Sequence, residues 1–246
     1  MEQGNIRERR SMTEITIEMI QEAERKRMEH NLVYANQGVR FIDIRQAYID
    51  EGVQIGAGTV IYPCVVLKGA VQIGRNCLIG QNSRIEDSVI EDDVEIQSSV
   101  ILESIVGSGT KVGPFAYMRP HSKTGKNCKV GDFVEMKNSS LGDGSKSSHL
   151  TYIGDADVGS GVNLGCGVVF VNYDGSEKHR STVEDGAFIG CNTNLISPVT
   201  VEKRAYVAAG STVTGDVPAG SLYVARARAR TLDADQIGRA SCRERV

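Results

Sequence analysis

The chain has 246 residues, enough for one domain with a sizeable core and too few for two full-sized enzyme domains. Its formal charge of −3, from 28 basic and 31 acidic residues, leaves no cationic footprint for nucleic acid or an anionic membrane. Glycine is abundant at 27 residues, aromatics reach 5 % and Trp is absent, so small and aliphatic side chains must fill the core.

The first ten residues, MEQGNIRERR, read as a charged N-terminal extension with no apolar stretch behind it. No run of eighteen apolar residues occurs anywhere, so the expectation is a cytoplasmic protein with neither a spanning helix nor a secretory signal. Residues 11–51 form a linker and lead-in. Within them, 11–31 carry helical spacing at Ile15, Met19, Ile20, Ala23 and Met28, with Ser11 and Glu14 placed as a capping box.

From 52 to 225 a repeat of six takes over. Ile55, Ile61, Leu67, Ile73, Ile79 and Ile85 recur without a miss, and after a one-residue slip the series resumes at Ile90, Ile96 and Leu102, then at Val106, Val112 and Met118. A second unbroken run is Val183, Ile189, Leu195, Val201, Val207 and Val213. Six is even, so in extended chain each marked residue points to one side, and the residue two before it (Val53, Val65, Val71, Cys77) shares that side. The corners read Gly56-Ala57, Tyr62-Pro63, Lys68-Gly69 and Gly74-Arg75, not the Asn-Gly or Asp-Gly pairs of tight hairpins. A parallel β-helix of roughly ten coils follows, with aliphatic ladders along a narrow core. Between Phe170 and Val183 the rhythm breaks into the polar stretch 171–182, expected to loop out of the prism and to carry function. From Arg226 periodicity vanishes, and in the tail 226–246 the patternless Gln236–Val246 is expected to be non-native in preference to a natural frayed end.

Six cysteines (Cys64, Cys77, Cys128, Cys166, Cys191, Cys242) include no C-x-x-C pair, which favours free thiols over a disulfide framework or zinc ribbon. The sequon at Asn138-Ser139-Ser140 is read as chance, since no secretion signal accompanies it.

GPFAYMRP, VGDFVEMKNSSLGDGSKSSHLTYIGDADVG, VNLGCG, NYDG and VAAGSTVTGDVP, within residues 113–226, resemble the acetyltransferase domain of the bifunctional bacterial enzymes that make UDP-N-acetylglucosamine, of the hexapeptide-repeat acyltransferase family. The similarity covers about 200 residues. It implies a left-handed parallel β-helix, an exception to the right-handed crossover rule, assembled as a homotrimer. It also implies acetyl-CoA-dependent N-acetylation of glucosamine-1-phosphate, with small-molecule substrates and no metal. The family's N-terminal uridylyltransferase domain has no counterpart upstream of the helix, so a separate uridylyltransferase chain is the expected partner.

Carried over residue by residue, the resemblance makes His149 in SSHLTY the general base and Glu135 its orienting carboxylate. The attacking amine must lose a proton, and an imidazole, with an ordinary pKa of about 6.5, can take it near neutral pH. Arg119, Lys137 and Lys178 fall at the positions that clamp the sugar phosphate, for which a planar fork and ammonium point charges are suited. Tyr152 and Asn163 fall at sugar-contacting positions, and Asn172 and Tyr173 at those that meet the amine and the thioester. Ala209, Arg226 and the backbones at Cys166 and Cys191 complete the cofactor groove, the two cysteines standing where the family often has Ala and Ser. A thiol nucleophile at either is disfavoured, because no histidine neighbours it in sequence and the transfer needs no acyl-enzyme. His30, His121 and His179 read as ordinary surface residues.

Three rivals stand beside this reading. A zinc carbonic anhydrase would need His121, His149 and His179 to converge on one metal, which their wide spacing disfavours. A non-catalytic solenoid that docks a separate nucleotidyltransferase would be indifferent to His149. A hexapeptide acetyltransferase acting on another amine would share the site but not the acceptor.

Overall fold

A computed structural model of the chain describes residues 15–229 and 231. The helix runs from Ile17 to Asn36 and is capped by Thr16, whose Oγ1 accepts from the Met19 amide at 3.3 Å. It therefore starts and ends later than the sequence pattern suggests, because Thr16 supplies the cap. Ser11, Glu14, Cys242 and the segment 236–246 lie outside the described residues. The C-terminal half of the helix lies on the first coil: Tyr34 is buried and donates to the Val53 carbonyl at 2.9 Å, and Asn31 donates to Ile44 and Ala47 at 2.9 and 3.0 Å. Ile17, Met19, Ile20 and Val33 remain exposed. No helix among the described residues is long and apolar enough to cross a membrane.

The rest is a parallel β-solenoid of about ten turns, as the hexads require. Its strands are only two to four residues long and fall on three faces, each pairing with the third one after it until the last turn, where Tyr206–Val207 pairs with Leu222–Tyr223, the second after it. Among the described residues the first face holds eleven strands, from Arg40–Phe41 to Leu222–Tyr223. The second holds ten, from Ala47–Ile49 to Thr212–Val213, and the third nine, from Gln54–Ile55 to Thr200–Val201. Pairing starts at Arg40 opposite Val60, ahead of the regular hexads, so the lead-in already contributes strands.

The interior is the ladder the repeat describes, with Ile61, Leu67, Ile79, Ile85 and Ile96 fully buried and Val183 to Val213 likewise closed off at every sixth position. Leu102 is a correction. It is half-buried on the outer side while Ile101 is fully buried, because Ile101 pairs with Ile85 and Leu102 with the outward Glu86. Successive inward residues Ile96, Ile101 and Val106 are five apart there, and strict counting by six overshoots. No isolated strand of this length is stable, so stability comes from stacking coil on coil.

Candidate active site

Coil register carries one corner position, between the first and second faces, through five successive turns. Asp132 pairs directly with His149. Two residues beyond the pairs Ser147–Leu164, Leu164–Ile189 and Ile189–Val207 come Cys166, Cys191 and Ala209. His149 Nδ1 lies 2.8 Å from Asp132 Oδ1, with the two side chains 52 % and 36 % exposed. The His149 contact, reinforced by a backbone hydrogen bond, holds the Asp132 carboxyl below the usual carboxylate range. A carboxylate on Nδ1 selects the tautomer that leaves Nε2 free as an acceptor facing solvent. Gly131 permits this approach: a Cβ there would sit 2.0 Å from the Ser148 carbonyl oxygen, so no side chain fits between the coils beside the pair.

Glu135 does not orient His149. It lies on the second face opposite Tyr152 and pairs with Arg119 at 2.8 Å. The coil pitch decides this, since Asp132 stands 17 residues before His149 and is its partner in the ladder. The Glu135 hydrogen bond in turn raises the Arg119 pKa above its ordinary value.

A second cluster gathers at the next corner, between the second and third faces. Arg119, Pro120, His121, Lys137 and Asn138 line a recess of about 340 Å³. Lys137 Nζ contacts both oxygens of Asp155, at 3.1 and 3.0 Å, and Asn138 donates to the same carboxylate at 2.6 Å. Asn172, buried at the root of the excursion, donates its amide to the other oxygen. Burial pushes the Asp155 carboxyl up, but hydrogen bonds from Asn138, Lys137 and Asn172 outweigh it and hold the group below its ordinary value. Tyr152 lies over Gly154, where a Cβ would meet the phenol oxygen at 2.4 Å, and its hydroxyl comes within 3.5 Å of Asn172 Nδ2.

The excursion is a small hairpin. Tyr173 bridges Lys178, His179 N donates to the Asn172 carbonyl at 2.8 Å, and Asp174 caps the turn through the amides of Ser176 and Glu177. Lys178 lies beside Lys137 on the returning arm. His179 is held by Asp174 at 2.7 Å. Among the described residues no three His, Cys, Asp or Glu side chains converge as metal ligands would.

The structure thus groups Arg119, Lys137, Tyr152, Asn172 and Lys178 about one corner, and sets His149, Cys166, Cys191 and Ala209 in a row on the other. Asn163 lies on the first face opposite Lys146 and Phe188, apart from the recess of its own chain. Arg226 reaches the far end of the corner row, donating to the Ala209 carbonyl at 2.8 Å. The carbonyls of Cys166 and Cys191 already accept from Asn192 and Gly210 at 2.7 and 2.8 Å, so the backbone there offers amides more readily than carbonyls. Asp132 and Asp155 were missed in the sequence. The 17-residue coil carries His149 back to Asp132 and Asn172 back to Asp155, a pitch fixed only when the ladders pair.

Comparison with known proteins places the chain among relatives. Residues 44–122 match the family model described as GMPPB C-terminal domain. The chain is 56 % identical over 202 residues to the bifunctional protein GlmU of Clostridium beijerinckii, covering 82 % of this chain and 44 % of that protein. It is 53 % identical over 212 residues to that of Clostridioides difficile, covering 86 % and 46 %, so the chain spans less than half the length of these relatives. Among solved structures it resembles the Francisella novicida UDP-N-acetylglucosamine acyltransferase, with a TM-score of 0.50 and 19 % identity over 73 % of this chain and 65 % of that one, a likeness of fold.

Proposed function

From its similarity over most of its length to the C-terminal half of bifunctional GlmU proteins, we propose that the chain transfers the acetyl group of acetyl-CoA to the amine of glucosamine-1-phosphate, as a step in forming UDP-N-acetylglucosamine. The observation that carries this reading is the His149–Asp132 pair standing at the head of the corner row Cys166, Cys191, Ala209. Three rungs at about 4.8 Å span roughly 14 Å, a track suited to an extended pantetheine arm with its thioester at the histidine. Arg226 at the far end offers a cation to the phosphates of the donor.

In the reaction the amine nitrogen attacks the thioester carbonyl, the N–C bond forms and the C–S bond breaks. His149 Nε2 accepts the ammonium proton as the bond forms and returns it to the departing thiolate, so no charge is stranded. Asp132 stabilises the transient imidazolium and keeps Nε2 aimed outward. Arg119, Lys137 and Lys178 bind the sugar phosphate, and Asn172 and Tyr173 meet the amine and the acetyl group. The decisive experiment measures CoA release against glucosamine-1-phosphate, glucosamine-6-phosphate, serine and an aminoglycoside. Preference for the first supports the reading, and preference for another amine replaces the acceptor.

Arg119→Ala should raise KM for the sugar phosphate about tenfold to a hundredfold with little change in KM for acetyl-CoA, because a charge-assisted contact contributes about 1.5–3 kcal/mol. Steady-state kinetics with each substrate varied in turn reads this. A loss confined to acetyl-CoA would remove Arg119 from the clamp.

We further propose that the working unit is a homotrimer in which sites are completed between chains. Asn163 lies on a face remote from its own recess. Beside His149, the exposed side chains of Phe115 and Phe133 stack at 5.5 Å between centroids with exposed Leu150 on the same corner, an apolar strip fit for a neighbouring chain. Co-refolding inactive His149→Ala chains with impaired Asn163→Ala chains should restore part of the activity, since with Asn163 supplied by a neighbouring chain mixed trimers contain some sites free of both defects. No recovery, with a monomeric mass by light scattering for the active protein, would return every residue to one chain.

A further inference from the structure

Most corner aspartates of this solenoid serve the backbone. Asp87, Asp92, Asp143 and Asp185 each accept from a main-chain amide of the preceding coil, that of Ala70, Arg75, Lys126 and Ser160 respectively, at 2.7 to 2.8 Å. Asp155 departs from this pattern. Its side chain, 8 % exposed, gives its oxygens to three side chains: Lys137 and Asn138 from the coil before it, and Asn172 from the excursion after it. Its own backbone is pinned on both sides, the amide donating to Lys137 O at 3.0 Å and the carbonyl accepting from Ser181 N at 3.2 Å. A buried carboxylate that makes no use of its reach to the main chain is placed for what it holds.

We propose that Asp155 is a positioning residue at the acceptor corner, one carboxylate holding the Lys137 ammonium that meets the phosphate and the Asn172 amide that meets the amine and thioester in fixed relation. The proposal rests on the function given above, in which Lys137 meets the sugar phosphate and Asn172 the amine and thioester. Neither group is then free to relax when one substrate is absent. Lys137 is pre-oriented by Asp155 and Arg119 by Glu135, and Lys178 leaves the corner one net positive charge toward phosphate. Gly154 serves the arrangement by leaving room for the Tyr152 ring, which closes over the Asn172 amide.

Asp155→Asn isolates this role. The residue sits at φ 48°, a left-handed conformation that Asn adopts as readily as Asp and that Asn138 shows at the same corner one coil earlier. The variant keeps shape and backbone while turning one acceptor into a donor that faces Lys137 or Asn172. We expect kcat/KM to fall about a hundredfold, with KM rising for both the sugar phosphate and acetyl-CoA and with the melting temperature little changed. Lys137→Met, by contrast, should act chiefly on the acceptor.

The readout independent of activity is the side-chain amide signal of Asn172 in 15N-asparagine-labelled protein, assigned by its loss in Asn172→Ala. It should move in Asp155→Asn and, through the shared carboxylate, also in Lys137→Met, which leaves Asp155 in place should the first variant not fold. An Asn172 signal unmoved in the variants that fold, or Asp155→Asn kinetics equal to wild type, overturns the proposal. If the wild-type protein does not acetylate glucosamine-1-phosphate, the functional reading fails, and the amide signal still decides whether Asp155 links the two groups.

Discussion

Turnover of acetyl-CoA with glucosamine-1-phosphate should fall about 100-fold or more in His149→Ala, the scale on which a positioned general base contributes. The expectation follows from geometry. His149 is half-exposed at a corner, its Nδ1 is committed to Asp132 at 2.8 Å, and the ring presents Nε2 to solvent at the head of the donor track. Asp132→Asn should cost less, about tenfold or more, because the amide can keep the ring in place but stabilises the imidazolium poorly. The His149 contact holds the Asp132 carboxyl below the usual carboxylate range, so its protonation should not limit the pH–rate profile near neutral pH. Glu135→Gln, remote from the imidazole and paired with Arg119, should resemble Arg119→Ala in raising KM for the acceptor. Pre-steady-state measurement of CoA release in the three variants checks this ordering. Unchanged turnover in His149→Ala would sink the mechanism, and a larger loss in Glu135→Gln than in Asp132→Asn would restore Glu135 as the orienting group.

The largest effect on stability is expected at Phe170. It is the bulkiest of the fully buried side chains in a prism otherwise filled by aliphatic and small residues. Phe170→Ala should destabilise the folded chain by about 3–5 kcal/mol, since the aliphatic ladders around it are held by coil-to-coil hydrogen bonds and cannot collapse into the void. Phe170 stands two residues before Asn172, so the same substitution should also loosen the root of the excursion and raise KM for the donor. Chemical denaturation followed by circular dichroism reads the first effect and steady-state kinetics the second. A denaturation midpoint equal to that of the wild type would show that the core repacks around the gap.

How much of this was legible beforehand differs between the core and the site. The spacing of Ile55, Ile61, Leu67, Ile73, Ile79 and Ile85 was enough to specify a one-sided strand every six residues, and the corner dipeptides disfavoured hairpins. Those two facts lead to a parallel solenoid because side-chain alternation is a local property of extended chain, independent of what the chain later packs against. The break at 171–182 was equally visible, since a run of polar residues cannot continue an aliphatic ladder. The identities of His149, Arg119 and Lys137 came from resemblance, not periodicity.

Tertiary structure decided which residues stand beside each other across coils. The inward position moved from Leu102 to Ile101, the helix took its cap from Thr16, the partner of His149 became Asp132 in place of Glu135, and Asp155 emerged as the acceptor shared by Lys137 and Asn172. Alternation tells a residue which way to face, but the length of a turn tells it whom it meets. That length varies as individual sides shorten from six residues to five, so a neighbour 17 residues away cannot be separated from one 14 or 18 away until the ladders pair.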